Sequence, residues 1–141
     1  MSATPLAGGC LCGAVRYALS RPPGGASCCH CSMCRRSSGG AFQVYASVPR
    51  AALRWTSGQP RIYRSSSRAS RGFCPDCGSP LVFIYDPKPE RIWITVASLA
   101  RPDAIAPAEH WGVESWLPWL KIDDGLPRRR TDDDPNIGAA Q

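Results

Sequence analysis

The chain has 141 residues, 43% of them hydrophobic and 20% charged, with a formal net charge of +6. That length and composition suit one globular domain with its own core. No apolar run approaches the ~18 residues that a membrane-crossing helix needs, so no membrane association is expected.

The opening "MSATPLAGG" lacks a basic segment followed by an apolar one, the mark of a secretory leader, so a cytoplasmic chain is expected. From there the signals are mostly β. Residues 14–19, 41–48, 52–55, 61–64, 80–85 and 91–98 are short, rich in β-branched or aromatic residues, and separated by Pro, Gly and Ser clusters. In "AFQVYASV", Phe42, Val44, Ala46 and Val48 alternate as in a half-buried strand. "SMCRRSSGG" allows one helical turn ending at Gly39, and no longer segment shows a clean helical period. The expectation is one mainly β domain over residues 1–128 with short helical turns, then a loosely ordered tail over 129–141, where Pro and charge dominate. The arginines are scattered, and a solvated surface is the plain reading of them.

Eight cysteines carry the chemistry, and in a reducing compartment they point to metal before disulfides. They fall in three groups: "CLC" (Cys10, Cys12), "CCHCSMC" (Cys28 to Cys34) and "CPDC" (Cys74, Cys77). A C-x-x-C flanked by Pro and Gly reads as a zinc knuckle, a turn that aims two thiolates at one metal. Two more thiolates must complete a structural tetrahedron. Cys31 and Cys34 would do so as a zinc ribbon, but would strand Cys10, Cys12 and Cys29. Cys10 and Cys12, brought to one side by strand alternation, leave Cys29, Cys31 and Cys34 as a second set, and the count favours this pairing. In an extended "CCHC", Cys29 and Cys31 face one way, Cys28 and His30 the other, and Cys34 returns to Cys31 one turn later. Three thiolates leave a position open, as chemically active zinc sites do. The competing arrangement has Cys28 or His30 closing that site through an irregular backbone.

"GGCLCGAVRY", "CCHCSMCRRSSGGAF", "RGFCPDCGSPL" and "WLPWLKIDDGLPR" together resemble the glutathione-dependent formaldehyde-activating enzyme family, in the family's order, from about Gly8 to Arg128. The resemblance implies a β-tent fold of zinc-linked antiparallel sheets. It implies a structural zinc on Cys10, Cys12, Cys74 and Cys77, and a catalytic zinc on Cys29, Cys31 and Cys34. It implies a carbon–sulfur lyase whose namesake reaction joins the thiol of glutathione to formaldehyde. Glutathione is anionic, and Arg35 and Arg36, beside Cys34, are the candidates to bind its carboxylates. The expected partners are therefore a small thiol and a small aldehyde. A nucleic-acid-binding zinc module is the rival class; it calls for a dense basic face with interleaved aromatics, and Tyr63 amid Arg61, Arg64, Arg68 and Arg71 is a thin version of one. A thiol redox protein is disfavoured, because cysteines committed to metal do not cycle.

Overall fold

The computed structural model describes residues 6–133. In chain order it contains β1 (Ala7–Gly9), β2 (Arg16–Leu19), β3 (Gly24–Cys29), the single α-helix α1 (Ser32–Ser38), β4 (Gln43–Pro49), β5 (Leu53–Ser57) and β6 (Arg61–Arg64). Then follow β7 (Ala69–Phe73), β8 (Pro80–Tyr85), β9 (Arg91–Thr95), β10 (Glu109–Trp111) and β11 (Arg128–Arg129). The mainly β architecture with short helical turns is as expected. All six strand signals in the sequence land on strands, although the last shortens, because Val96–Ser98 turns as a 3-10 helix.

The strands form two open sheets. One has three strands, β1-β2-β5, all antiparallel. The other has eight, in the order β11-β10-β3-β4-β9-β8-β7-β6. It is antiparallel except at one end, where β10 runs parallel to both β3 and β11. No described helix is long and apolar enough to cross a membrane.

Register decides what each face of the large sheet carries, because directly paired residues point the same way. One face collects Val44, Ala46, Val48, Val82, Ile92 and Ile94. They pack with Val15, Tyr17 and Leu19 of the small sheet's side into the main core. The opposite face collects Cys29, Gln43, Tyr45, Phe83, Trp93 and, on β7, Arg71. α1 lies over this second face, with Cys31, Cys34 and Tyr45 forming a small buried cluster against Phe83 and Trp93. Hydrophobic burial thus fills one side of the sheet and leaves the other for polar and sulfur chemistry.

Glycine is obligatory where the small sheet meets its neighbours. A Cβ at Gly8 would lie 2.4 Å from both the Ser98 carbonyl and the Tyr17 hydroxyl. That hydroxyl is itself hydrogen-bonded to Ser98 Oγ at 2.7 Å.

The tail corrects an expectation. Residues up to Asp133 are built into the fold instead of trailing from it: β11 pairs with β10, and Thr131 is buried with its N–H donating to Glu114 Oε1 at 3.1 Å. The arginines supply the reason. Arg128 lies 4.1 Å over the Trp116 ring, and Arg129 Nε donates to Glu109 Oε1 at 2.7 Å, so both cations have partners on the domain. The rest of the expected tail, residues 134–141, lies outside the described residues.

Candidate metal centres

The first centre forms where two loops meet. After β1, Cys10 N–H donates to the Val15 carbonyl at 3.0 Å and Gly13, at φ +83°, turns the chain back. Cys10 and Cys12 therefore meet in a tight turn and not by strand alternation, which corrects the reason given for their pairing. Between β7 and β8, the "CPDC" turn places the N–H groups of Asp76 and Cys77 3.4 Å from Cys74 Sγ, as a knuckle should. Gly78, at φ +80°, closes that turn with its N–H on the Cys74 carbonyl. The Sγ atoms of Cys10, Cys12, Cys74 and Cys77 all lie within 4.8 Å of one another.

Their spacing fits a tetrahedral ion. Metal–sulfur bonds of 2.3 Å give a tetrahedron with edges of about 3.8 Å. The Cys10–Cys12 separation is 3.7 Å and the Cys12–Cys74 separation 3.8 Å. Donors from the frame already serve the sulfurs: Val15 N–H reaches Cys10 Sγ at 3.3 Å, and Ser79 Oγ lies 3.1 Å from Cys77 Sγ. The Ser79 contacts, hydroxyl first and backbone second, pull the Cys77 thiol down to about 5, toward the form that ligates.

The second centre sits on the polar face of the large sheet. Cys29 ends β3; Cys31, extended at φ −61° and ψ 156°, caps α1; Cys34 is in that helix's first turn. The cap is a sulfur: Cys31 Sγ accepts from the Cys34 N–H at 3.3 Å. Gly39, left-handed at φ 74°, ends the helix where the sequence indicated. The three sulfurs lie within 4.8 Å of one another, and neither Cys28 nor His30 joins them. Cys28 is buried on the apolar face, paired with Val44, and burial pushes its thiol up to about 11.

The thiols in this cluster divide sharply. Cys31 is pushed down to about 2 by the hydrogen bonds of Cys29 and Cys34, while Cys29 is pushed up by facing Cys31 and by burial. Three thiolates this close cannot all ionise unless a cation lies between them. Both sets are thus compatible with zinc. The described residues group no other three metal-ligating side chains in this way.

A buried cation borders the second centre. Arg71 is only 8% exposed, with Nη1 and Nη2 at 3.7 and 3.6 Å from Cys34 Sγ. Nη1 also donates to Tyr45 Oη at 2.9 Å and Ser37 Oγ at 3.2 Å, and the guanidinium lies 5.0 Å from the Phe83 ring centre. The sequence reading passed over Arg71 as one of many scattered arginines. Its available signal was its place in a strand, three residues before a knuckle cysteine.

A roof made by the C-terminal segment covers the loop. His30 is fully buried, with its Nε2 2.9 Å from His110 Nδ1, and His110 Nε2 is 2.7 Å from Asp124 Oδ2. A carboxylate only accepts, so His110 donates to Asp124 through Nε2, and its Nδ1 is left to pair with His30 Nε2. The hydrogen bond from His110 holds the Asp124 carboxyl below its usual range. Burial, then the neighbouring His110, pushes His30 down to about 4. Trp116 stacks on His30 at 4.0 Å and 9°, with Arg128 on its other side, giving a three-layer stack. Gly112, at φ +68°, lets the backbone press down on the metal-binding loop; a Cβ there would lie 2.9 Å from Cys31 N. Arg35 joins this roof through a 3.1 Å bond from Nη1 to the Ser115 carbonyl, while Arg36 is exposed.

Two thiol clusters in one mainly β frame, one of four sulfurs and one of three, both compatible with a metal ion, mark a class of small cysteine-rich β proteins. The model of the glutathione-dependent formaldehyde-activating enzyme family matches residues 5–115. The chain is 31% identical over 128 residues to a protein of Halomonas elongata that carries this family's name provisionally, covering 84% of this chain and 81% of that one. It is 33% identical over 78 residues to an uncharacterised lyase of Schizosaccharomyces pombe, covering 55% of this chain and 56% of that one. The crystal structure of a Rhodobacter sphaeroides protein shares the fold, with a TM-score of 0.53 and 24% identity over 87% of this chain and 98% of that one. The chain belongs to the glutathione-dependent formaldehyde-activating enzyme family.

Proposed function

We propose that this protein is a zinc-dependent carbon–sulfur lyase-type enzyme that joins a small thiol, glutathione in the first instance, to formaldehyde or another small aldehyde. The reaction forms one S–C bond and moves the thiol proton to the former carbonyl oxygen, giving an S-hydroxymethyl adduct. The observation that carries this reading is a three-sulfur cluster beside a complete four-sulfur one, in a chain of this family. The lyase name of one relative supports the reaction class.

Cys10, Cys12, Cys74 and Cys77 hold the structural ion and tie β1's end to the β7–β8 turn. Cys29, Cys31 and Cys34 hold the second, on the sheet face opposite the core. Zinc bound there supplies a place for an incoming thiol and holds it as the more nucleophilic thiolate. The remaining work falls to the chain. The Cys34 N–H fixes Cys31, and Tyr45, whose hydroxyl is kept neutral by burial and by Cys34, fixes the guanidinium beside Cys34. The roof of His30, His110 and Trp116 keeps water from one side of the loop. Arg36, and Arg35 on exchanging its Ser115 carbonyl, offer forked donors to the carboxylates of glutathione. A cytoplasmic location would supply both reduced thiols and the co-substrate.

The test is NMR exchange spectroscopy of formaldehyde with glutathione, and with an uncharged thiol, in the presence of zinc-loaded protein. Faster exchange is expected for glutathione, and Arg35→Ala should slow glutathione more than the uncharged thiol. Exchange no faster than in buffer for every thiol and aldehyde tried would overturn the enzyme reading.

A further inference from the structure

Among the described residues, the charge on Arg71 has no acidic partner. Each ion pair among the described residues uses another cation, and none involves Arg71. A guanidinium this buried is costly unless an opposite charge faces it. Its contacts are two hydroxyls, an aromatic face and one sulfur, and its Nε is buried without a hydrogen-bond partner. The sulfur is that of Cys34, which both Nη atoms straddle at nearly equal distance.

The balance closes when a dication is added. Three thiolates and one Zn²⁺ sum to −1, and Arg71 brings the total to zero. Three neutral thiols with no metal would leave the buried guanidinium uncompensated. Binding a dication with release of three protons changes the cluster from 0 to −1, so a fixed positive charge alongside favours the loaded state. Hydrogen bonds to a ligating sulfur also draw electron density from it, which leaves the metal more electrophilic.

We propose that Arg71 is a positioning residue for the three-thiol centre: it is the buried counter-charge of the metal-loaded cluster and holds Cys34 Sγ in ligating position. This rests on Cys29, Cys31 and Cys34 being zinc ligands. It separates the two centres electrostatically, since the hydrogen bonds to the first come from backbone N–H groups and a hydroxyl, all of them neutral donors.

The experiment compares wild type, Arg71→Gln and Arg71→Lys. Zinc affinity at each centre is read by competition with a chromophoric chelator, and the thiolate-to-cobalt charge-transfer band is recorded after loading with Co²⁺. Arg71→Gln is expected to weaken the second centre about 10–100-fold, the usual cost of losing an outer partner of a metal ligand, and to leave the first unchanged. Its charge-transfer band should move to lower energy, because a sulfur without its cationic donor gives up charge more readily. Arg71→Lys, which keeps the charge, should recover most of the affinity. Wild-type affinity and an unshifted band in Arg71→Gln would overturn the inference alone. So would Arg71→Lys being as weak as Arg71→Gln; if Arg71→Gln fails to fold, Arg71→Lys is compared with wild type, and a loss of about 10-fold or more at the second centre would overturn the inference. A wild-type protein that never takes a second metal would overturn the zinc reading together with it.

Discussion

The four-thiol and three-thiol centres are built from the same ligand but held in opposite ways. Cys10, Cys12, Cys74 and Cys77 come from two tight turns, with Cys10 and Cys74 buried and Cys12 exposed, and neutral hydrogen-bond donors serve the sulfurs. Cys29, Cys31 and Cys34 come from one six-residue stretch, with Cys31 and Cys34 buried, and are flanked by a cation on one side and a roof from the C-terminal segment on the other. The first centre links regions far apart in sequence, so the binding energy of a metal held there would belong to folding. The second is local, and its surroundings are what cost the fold something to build.

Chemistry should separate the two most strongly. Cys29→Ser, Cys31→Ser and Cys34→Ser are each expected to abolish thiol–aldehyde exchange, while Cys28→Ser keeps both exchange and metal, since its side chain lies on the opposite face of the sheet from the three sulfurs. Exchange kinetics on the four variants, each assayed for metal, would check this; a dead, zinc-depleted Cys28→Ser would mean a fourth ligand.

Stability should reverse the ranking. Cys77→Ser is expected to cost on the order of 3 kcal/mol or more, roughly 10 °C in Tm for a domain of this size, because it opens the long loop that the first centre closes. Cys34→Ser should lose clearly less. Equal losses in calorimetry would erase the division between a structural and a chemical centre.

Acid should reach the roof of the second centre. His30 is held at about 4 in the folded chain against an ordinary 6.5. Below pH 6.5 the unfolded chain binds a proton that the folded chain refuses, so this stabilisation is complete above 6.5 and is lost as pH falls toward 4. The stability difference between wild type and His30→Phe, which removes the titration and keeps a ring against Trp116, should therefore shift by about 1.4 kcal/mol per pH unit across that window. A constant difference from pH 7 to 4 would contradict the buried neutral imidazole.

The smallest effect is expected at Gly112. Gly112→Ala strains a left-handed residue and pushes a methyl toward Cys31, at an expected cost of about 1–3 kcal/mol. Alkylation of Cys29, Cys31 and Cys34 in metal-free protein should quicken as the roof lifts, with Cys10 and Cys12 unaffected, as peptide mapping would record.

The thiol pairs and the Cys29–Cys31–Cys34 set were legible in the sequence because ligand spacing is a local property, and the pairing of Cys10 and Cys12 with Cys74 and Cys77 followed from the count of cysteines left over. C-x-x-C and C-x-C-x-x-C fix their geometry within one or two turns, whatever the rest of the chain does. The aromatic and β-branched strands were legible for the same reason. β3, with the sequence "GGASCC", was not, since Gly, Ser and Cys give no strand signal and only pairing with β4 and β10 makes it one. The link from His30 to His110 spans 80 residues, and the Arg71–Cys34 contact spans 37. Both depend on sheet register, which one sequence does not display. Arg71 was misread as solvated because its one local mark, a place three residues before a knuckle cysteine, does not say which way its side chain points.

The roof also sets an order in time. All seven clustered thiols precede residue 78, whereas the strand that presses on Cys31 starts at Glu109 and its brace, β11, ends at Arg129. A chain emerging from the ribosome presents every one of these sulfurs to its surroundings before their cover has been synthesised. The four-sulfur set can assemble as soon as the "CPDC" turn is out. The three-sulfur set waits, uncovered, through the translation of the remaining strands. On the zinc reading proposed above, capture of the second ion would compete with oxidation during synthesis, and metal supplied to the growing chain should load that centre more fully than metal offered to the finished apoprotein.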